Sequence, residues 1–158
     1  MILVADSSAL IALSLCNAVH LLDQLFEKVI VPQAVFDEIT KEHKRESVEL
    51  SNYLKGKIES VDIDDYVITD FLVVKGELEA VAVYKKLRAD KFLVDDKRAR
   101  KLAQLNGLNT IGSLGVLLIV KEKGLIDRIK PYVEEIVNSD IYIKKDVIDY
   151  VLSLAGEK

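Results

Sequence analysis

Apolar residues recur along the chain at two spacings. Ile2 to Ala5 form a short unbroken run closed by Asp6, Ser7 and Ser8, the pattern of a buried strand. Ser7 or Ser8 suits the N-cap of a helix over the apolar run Ala9 to Leu13. Val29-Ile30-Val31 is a second, β-branched strand; Pro32 ends it and fits the first position of the next helix. Lys91 to Val94 is closed by Asp95-Asp96, Asn109 to Ile111 is another short strand, and Ile58 to Ile63 alternates roughly, as an edge strand does. Helical spacing fills the intervals. Asn17 can cap a helix carrying Val19, Leu21, Leu22, Leu25 and Phe26. Val35, Phe36 and Ile39 mark the core side of the next, and residues 41 to 57 read as a surface helix ending near Gly56.

Gly76 opens a helix with Leu78, Val81, Ala82 and Leu87 inward. Ala99, Leu102 and Ala103 mark the helix after Asp96, Gly112-Ser113 starts an apolar one, and Pro131 opens another through Ile136. An amphipathic helix over 144–155 (Val147, Ile148, Val151, Leu152, Ala155) is expected to close the core rather than serve a partner helix. Asp62, Asp64 and Asp65 look like a loop, and residues 66 to 74 satisfy the helix and strand patterns alike. Strands alternating with helices predict an α/β fold with a mostly parallel sheet. No linker, repeat or low-complexity tract divides the chain, so one domain is expected over 1–158.

Bulk composition narrows the classes. The chain has 158 residues, half of them hydrophobic, enough for a sizeable core and too apolar for disorder. Its one cysteine, Cys16, excludes an internal disulfide. No apolar run approaches the ~18 residues of a membrane span, and the first residues lack a basic segment, so no membrane partner and a cytoplasmic location are expected. A net charge of −4 argues against nucleic-acid binding by general electrostatics. That argument fails where several acids hold cations.

Acids recur at comparable places. Asp6 and the pair Asp95-Asp96 sit at the carboxyl ends of strands, the edge where open α/β sheets bind ligands. Glu38 lies at the margin of a buried helical stripe. Glu77 and Glu79 fall in a first helical turn, where the helix dipole alone would favour them. They are two residues apart and point in different directions, so at most one can enter a shared site fully. Carboxylates without His or Cys select hard cations, Mg²⁺ or Mn²⁺. Such ions promote attack of water on phosphorus and stabilise the leaving oxygen. His20 is expected to be a partly buried packing residue, and His43 to face solvent. Lys97, Arg98, Arg100 and Lys101 form a basic helix face that begins beside Asp95-Asp96 and could hold phosphates. There is no GxGxxG, Walker lysine motif or CxxC.

The pieces VADSSALIAL, VIVPQAVFDEI, GELEAVAVYKKL and FLVDDKRARKLAQLNGLNTIGSLGVLLIVKEKGLI resemble, in order and over roughly residues 1 to 135, the PIN-domain family and within it the VapC-like toxin ribonucleases. The resemblance implies a three-layer α/β/α sandwich around a mostly parallel sheet of about five strands. It implies catalytic acids at Asp6, Glu38, Glu79 and Asp96, with metal held by Asp6, Glu79, Asp96 and the adjacent Asp95. Glu79 is placed third because Ala80-Val81-Ala82 match the small apolar run after the family's acid, with Glu77 competing. Ser8 matches a hydroxyl often set near the first acid. Many members have Asp where Glu79 stands and Thr where Val94 stands. The implied activity is Mg²⁺- or Mn²⁺-dependent cleavage of RNA, with Lys97, Arg98 and Arg100 on the RNA backbone. The implied partners are a cognate antitoxin and a second copy of the chain. A non-catalytic module that binds RNA or protein is the alternative from another class.

Overall fold

Five parallel strands lie in the order β3-β2-β1-β4-β5 in the computed structural model, which describes residues 1–41, 43–62 and 75–158. They are β1 Ile2–Ala5, β2 Lys28–Pro32, β3 Ile58–Glu59, β4 Lys91–Leu93 and β5 Thr110–Ile111. β1 is central: Leu3 pairs with Val29 on one side and Lys91 on the other. Strand residues divide by alternation. Leu3, Ala5, Val29, Val31 and Leu93 enter one apolar core, and Val4, Ile30, Phe92 and Val94 enter the other. Both faces are covered, which is why these strands read as continuous apolar runs. The architecture is the expected α/β/α sandwich.

The first core is filled by α1 (Ser7–Leu15), a turn of 3₁₀ helix at Val19–Leu21, α2 (Leu22–Leu25), α3 (Gln33–Lys41), α4 (Arg45–Tyr53), α7 (Ser113–Glu122), α8 (Lys130–Val137) and α9 (Lys145–Leu154). The second is covered by α5 (Lys75–Leu87) and α6 (Lys97–Leu105). In α9, Val151 is buried and Ile148, Leu152 and Ala155 pack on the first core, so this helix closes the core as expected. Val147 instead turns outward, 42% exposed.

Several local expectations need correction. Asp6, not Ser7 or Ser8, occupies the N-cap position of α1, and its carboxylate makes no capping bond. Asn17 does not start a helix; it ends one. With φ of 57° it turns the chain left-handed, and the Ala18 and Asn17 amides bond the Leu13 and Ser14 carbonyls at 2.8 and 3.0 Å. This is a helix C-terminal closure in which Asn replaces the usual glycine. His20 is exposed rather than partly buried, because the short 3₁₀ turn directs Val19 and Leu21 inward and leaves it outside. Pro32 is the last strand residue, and α3 begins after it. His43 is exposed, as expected. The ambiguous stretch 66–74, together with Ile63, Asp64 and Asp65, lies outside the described residues.

Candidate active site at the carboxyl edge of the sheet

β1 has β2 on one side and β4 on the other, so the connections diverge at its carboxyl end. That divergence opens a crevice where α/β sheets bind ligands. Asp6 stands there. Its amide continues the ladder by donating to Leu93 O at 2.9 Å, which pins the residue between the ends of β1 and β4. Its side chain is buried, and burial raises its pKa to about 6. The Ser7 amide and the Ser8 hydroxyl oppose that rise; the charges of Glu38 and Glu77 add to it.

Glu38 and Glu77 reach this neighbourhood from two helices. Glu38 is exposed on α3. Glu77 lies in the first turn of α5, with its Oε2 closed off from solvent. Gly76 lies where the two helices meet. A Cβ there would stand 3.3 Å from Val35 Cγ2 and 3.5 Å from Glu38 Oε2, so a larger residue would ask the Val35 side chain to give by a few tenths of an ångström. Glu79 is directed elsewhere. It is buried, its Oε1 accepts from the Ala34 amide at 3.4 Å, and it lines a cavity with Gln33, Asp37 and Ser60. The two glutamates therefore diverge, as their spacing requires.

Asp96 and Asp95 close the other side. Asp96 is exposed and caps α6, its Oδ2 accepting from the Ala99 amide at 2.8 Å. Asp95 is half-buried and turns the opposite way: Oδ1 accepts from the Ser113 amide at 2.7 Å and Oδ2 from the Ser113 hydroxyl at 2.6 Å. Ser8 joins both to Asp6. Its Oγ lies 3.2 Å from Asp6 Oδ2 and accepts from the Asp95 and Asp96 amides at 3.1 and 3.2 Å. Lys97, Arg98 and Lys101 project to solvent. Arg100 folds back, donating to the Val94 carbonyl at 3.1 Å.

The donor set suits a hard divalent cation in kind. It is all oxygen, and a buried carboxylate beside two further acids is a place where positive charge is favoured. Among the described residues, however, no three of His, Cys, Asp or Glu are close enough to hold an ion. Two residues that shape this edge carry no sequence signal. Ser113 reads only as a helix start, and Asp95 is 18 positions away. Gly76 reads only as a helix opening.

A family model described as a PIN domain matches residues 2–157. The chain belongs to the PIN-domain family. The match extends past the 1–135 stretch of the sequence resemblance and takes in α9. Membership points to nuclease-type chemistry on nucleic acid, typically with divalent metals. No curated protein and no solved structure matches the chain. Among the described residues of this PIN domain no single helix is long and apolar enough to cross a membrane. Ser7–Leu15 and Val19–Leu25 pass that test only as a pair bent by 114°.

Proposed function

We propose that this PIN domain is an Mg²⁺- or Mn²⁺-dependent endoribonuclease and the toxin of a type II toxin–antitoxin pair. The observation that carries the reading is Asp6: a carboxylate buried at the end of the central strand, its pKa raised by burial and by the acids Glu38 and Glu77. Asp6 would contact the cation, with Glu77 and Asp96 reaching it through water or by side-chain movement and Glu38 at the exposed lip, since no three acids among the described residues already converge. Glu79 is the third acid on the family pattern, but Glu77 is the one whose charge reaches Asp6. A bound cation supplies promotion of water attack on phosphorus and compensation of charge on the leaving oxygen. Ser8 orients Asp6 through its Oδ2, and the exposed Lys97 and Arg98 hold flanking phosphates. On this reading the active form is a homodimer. The antitoxin silences it by presenting a basic residue to the acids.

The test is cleavage of single-stranded RNA by purified protein with Mg²⁺ or Mn²⁺, abolished by EDTA. Equal cleavage with chelator would overturn the metal-dependent reading. RNA binding without cleavage under any divalent ion would favour the non-catalytic module instead.

A further inference from the structure

Asp95 is well placed to be mistaken for a ligand, because it stands beside Asp96 at the end of β4. Its contacts assign it other work. Both carboxylate oxygens are engaged by one residue, Ser113, through its backbone amide at 2.7 Å and its hydroxyl at 2.6 Å. Ser113 is buried, and its amide is one of the first-turn donors of α7 that have no partner within the helix. The carboxylate thus satisfies a helix start from a neighbouring strand end, with charge-assisted bonds of short length. The surroundings are shaped around this contact. A Cβ on Gly112 would meet Asp95 Oδ1 at 3.0 Å and Arg100 Nη2 at 3.3 Å, so the position before Ser113 has room for glycine alone unless the clamp gives way. Arg100 sits against the same corner through Val94 O, and the Val94 amide bonds Ile111 O at 2.9 Å.

The backbone of Asp95 faces the site. Its amide and that of Asp96 are the two donors to Ser8 Oγ, whose remaining contact is Asp6 Oδ2. A hydroxyl that receives two N–H groups has its own proton left for a third partner, so Ser8 must donate to Asp6. A shift of Asp95 would move the Asp96 amide with it and loosen Ser8 on Asp6.

We propose that Asp95 is a positioning residue, not a metal ligand: clamped by Ser113, it fixes the end of β4 so that Asp96 and, through Ser8, Asp6 hold their places. The inference rests on the metal-site reading above and says how that site is kept in register.

The experiment measures the Mn²⁺ dissociation constant by thermal shift and by the electron paramagnetic resonance signal of free Mn²⁺, with circular dichroism to confirm folding. The proteins are the parent, Asp95→Asn, Asp95→Ala, Ser113→Ala, Ser113→Thr and Asp6→Asn. Asparagine keeps the shape of the clamp and an acceptor for the Ser113 amide, and threonine keeps the hydroxyl. Asp95→Asn and Ser113→Thr should therefore stay within about 3-fold of the parent. Asp95→Ala and Ser113→Ala should weaken Mn²⁺ about 10-fold or more while remaining folded, the scale seen when a partner behind a ligand is removed. Asp95→Asn as damaging as Asp6→Asn would make Asp95 a ligand and overturn the proposal. A parent that responds to Mn²⁺ with Ser113→Ala responding equally would reduce the clamp to a fold contact. A parent indifferent to Mn²⁺ would remove the metal-site reading itself and the positioning role with it. The two conservative variants decide the matter if both alanine variants fail to fold.

Discussion

The Ser8 hydroxyl lies 3.2 Å from Asp6 Oδ2, and this single contact joins the ends of two neighbouring strands, because the same oxygen accepts from the amides that begin the turn after β4. Asp6 thereby has Oδ2 engaged by Ser8, and the Ser7 amide also favours the charged carboxylate.

Ser8→Ala would leave the Asp95 and Asp96 amides without that acceptor. One of these amides is part-buried and the other exposed, so the loss is that of an ordinary hydrogen bond, about 1 kcal/mol. Urea denaturation should show a loss of that order. Ser8 also lowers the Asp6 pKa, so Asp6 should titrate higher in the variant, followed by carboxyl NMR. Unchanged stability together with unchanged titration would mean that the hydroxyl links nothing.

Glu77→Gln should lower the Asp6 pKa, because Glu77 is one of the two charges that raise it, and Glu79→Gln should leave it nearly unmoved. The same geometry expects Glu77→Gln to cost more RNA cleavage than Glu79→Gln. The family pattern, with its small residues after Glu79, expects the reverse. Parallel rate and titration measurements on both variants separate the two.

Why one acid of this pair was open from sequence and others were not is a matter of distance along the chain. β1 and β2 were legible because both their faces are buried, which leaves unbroken apolar runs such as Ile2–Ala5. Asp6, Asp95 and Asp96 followed from those runs, since a strand end is a local signal. The direction of Glu77 against Glu79 depends on how α5 packs against α3, with Gly76 close to Val35, and no local pattern carries that. Asn17 is ambiguous for a related reason. The same residue type starts helices and tolerates a positive φ, and only the bonds to Leu13 and Ser14 decide which. Ser113 and Glu157 act across the fold on residues 18 and 28 positions away, so composition and periodicity are blind to them.

The basic face of α6 divides. Lys97 and Arg98 are exposed, whereas Arg100 is half-buried on Val94 O. Lys97→Ala with Arg98→Ala should weaken RNA binding and flatten its salt dependence by a slope of about 1.4 in log–log form, the value for two phosphate contacts on a single strand. Arg100→Ala should instead lower thermal stability with little change in slope. An unaltered slope in the double variant would return this face to ordinary solvated surface.

Glu157 latches the residues after α9 to the start of α8. Its carboxylate, 5% exposed, takes the Lys121 ammonium at 2.9 Å and the Ile129 and Lys130 amides at 2.9 and 3.0 Å. Burial opposes ionisation there, but these donors outweigh it and hold the pKa at about 2. A depressed carboxylate stabilises the fold above its unfolded pKa, and that contribution fades as pH falls from about 4.5 towards about 2. Arg128 Nε also lies 3.5 Å from Glu157 Oε1, and allowing for the partial exposure of Lys121 and Arg128 the contribution is roughly 1–3 kcal/mol. Glu157→Gln should lose about that much at pH 7 and little at pH 2, read from denaturation midpoints across pH.

Asp6 has the opposite sign. Its folded pKa is raised from 3.8 to about 6, so between those values the native state keeps a proton that the unfolded chain has lost. Stability contributed by this group is present at low pH and falls as pH rises through about 6. At an effective dielectric of about 20, each close carboxylate pair repels by roughly 3 kcal/mol before screening. Asp6→Asn removes the charge with little change of shape and keeps an acceptor for Ser8. The metal-free variant should therefore match the parent near pH 4 and exceed it by about 1–3 kcal/mol at pH 7. It should also lose RNA cleavage and most of the stabilisation that Mn²⁺ gives the parent, since an ion bound only by the native state raises its stability. A packing role for Asp6 predicts a different pattern: a neutral or destabilised variant at every pH, with Mn²⁺ acting equally on both proteins. Thermal melts of the two, with EDTA and with millimolar Mn²⁺ at pH 4 and pH 7, distinguish the outcomes. A parent that gains nothing from either Mn²⁺ or Mg²⁺ would refute the metal site at the residue on which it rests.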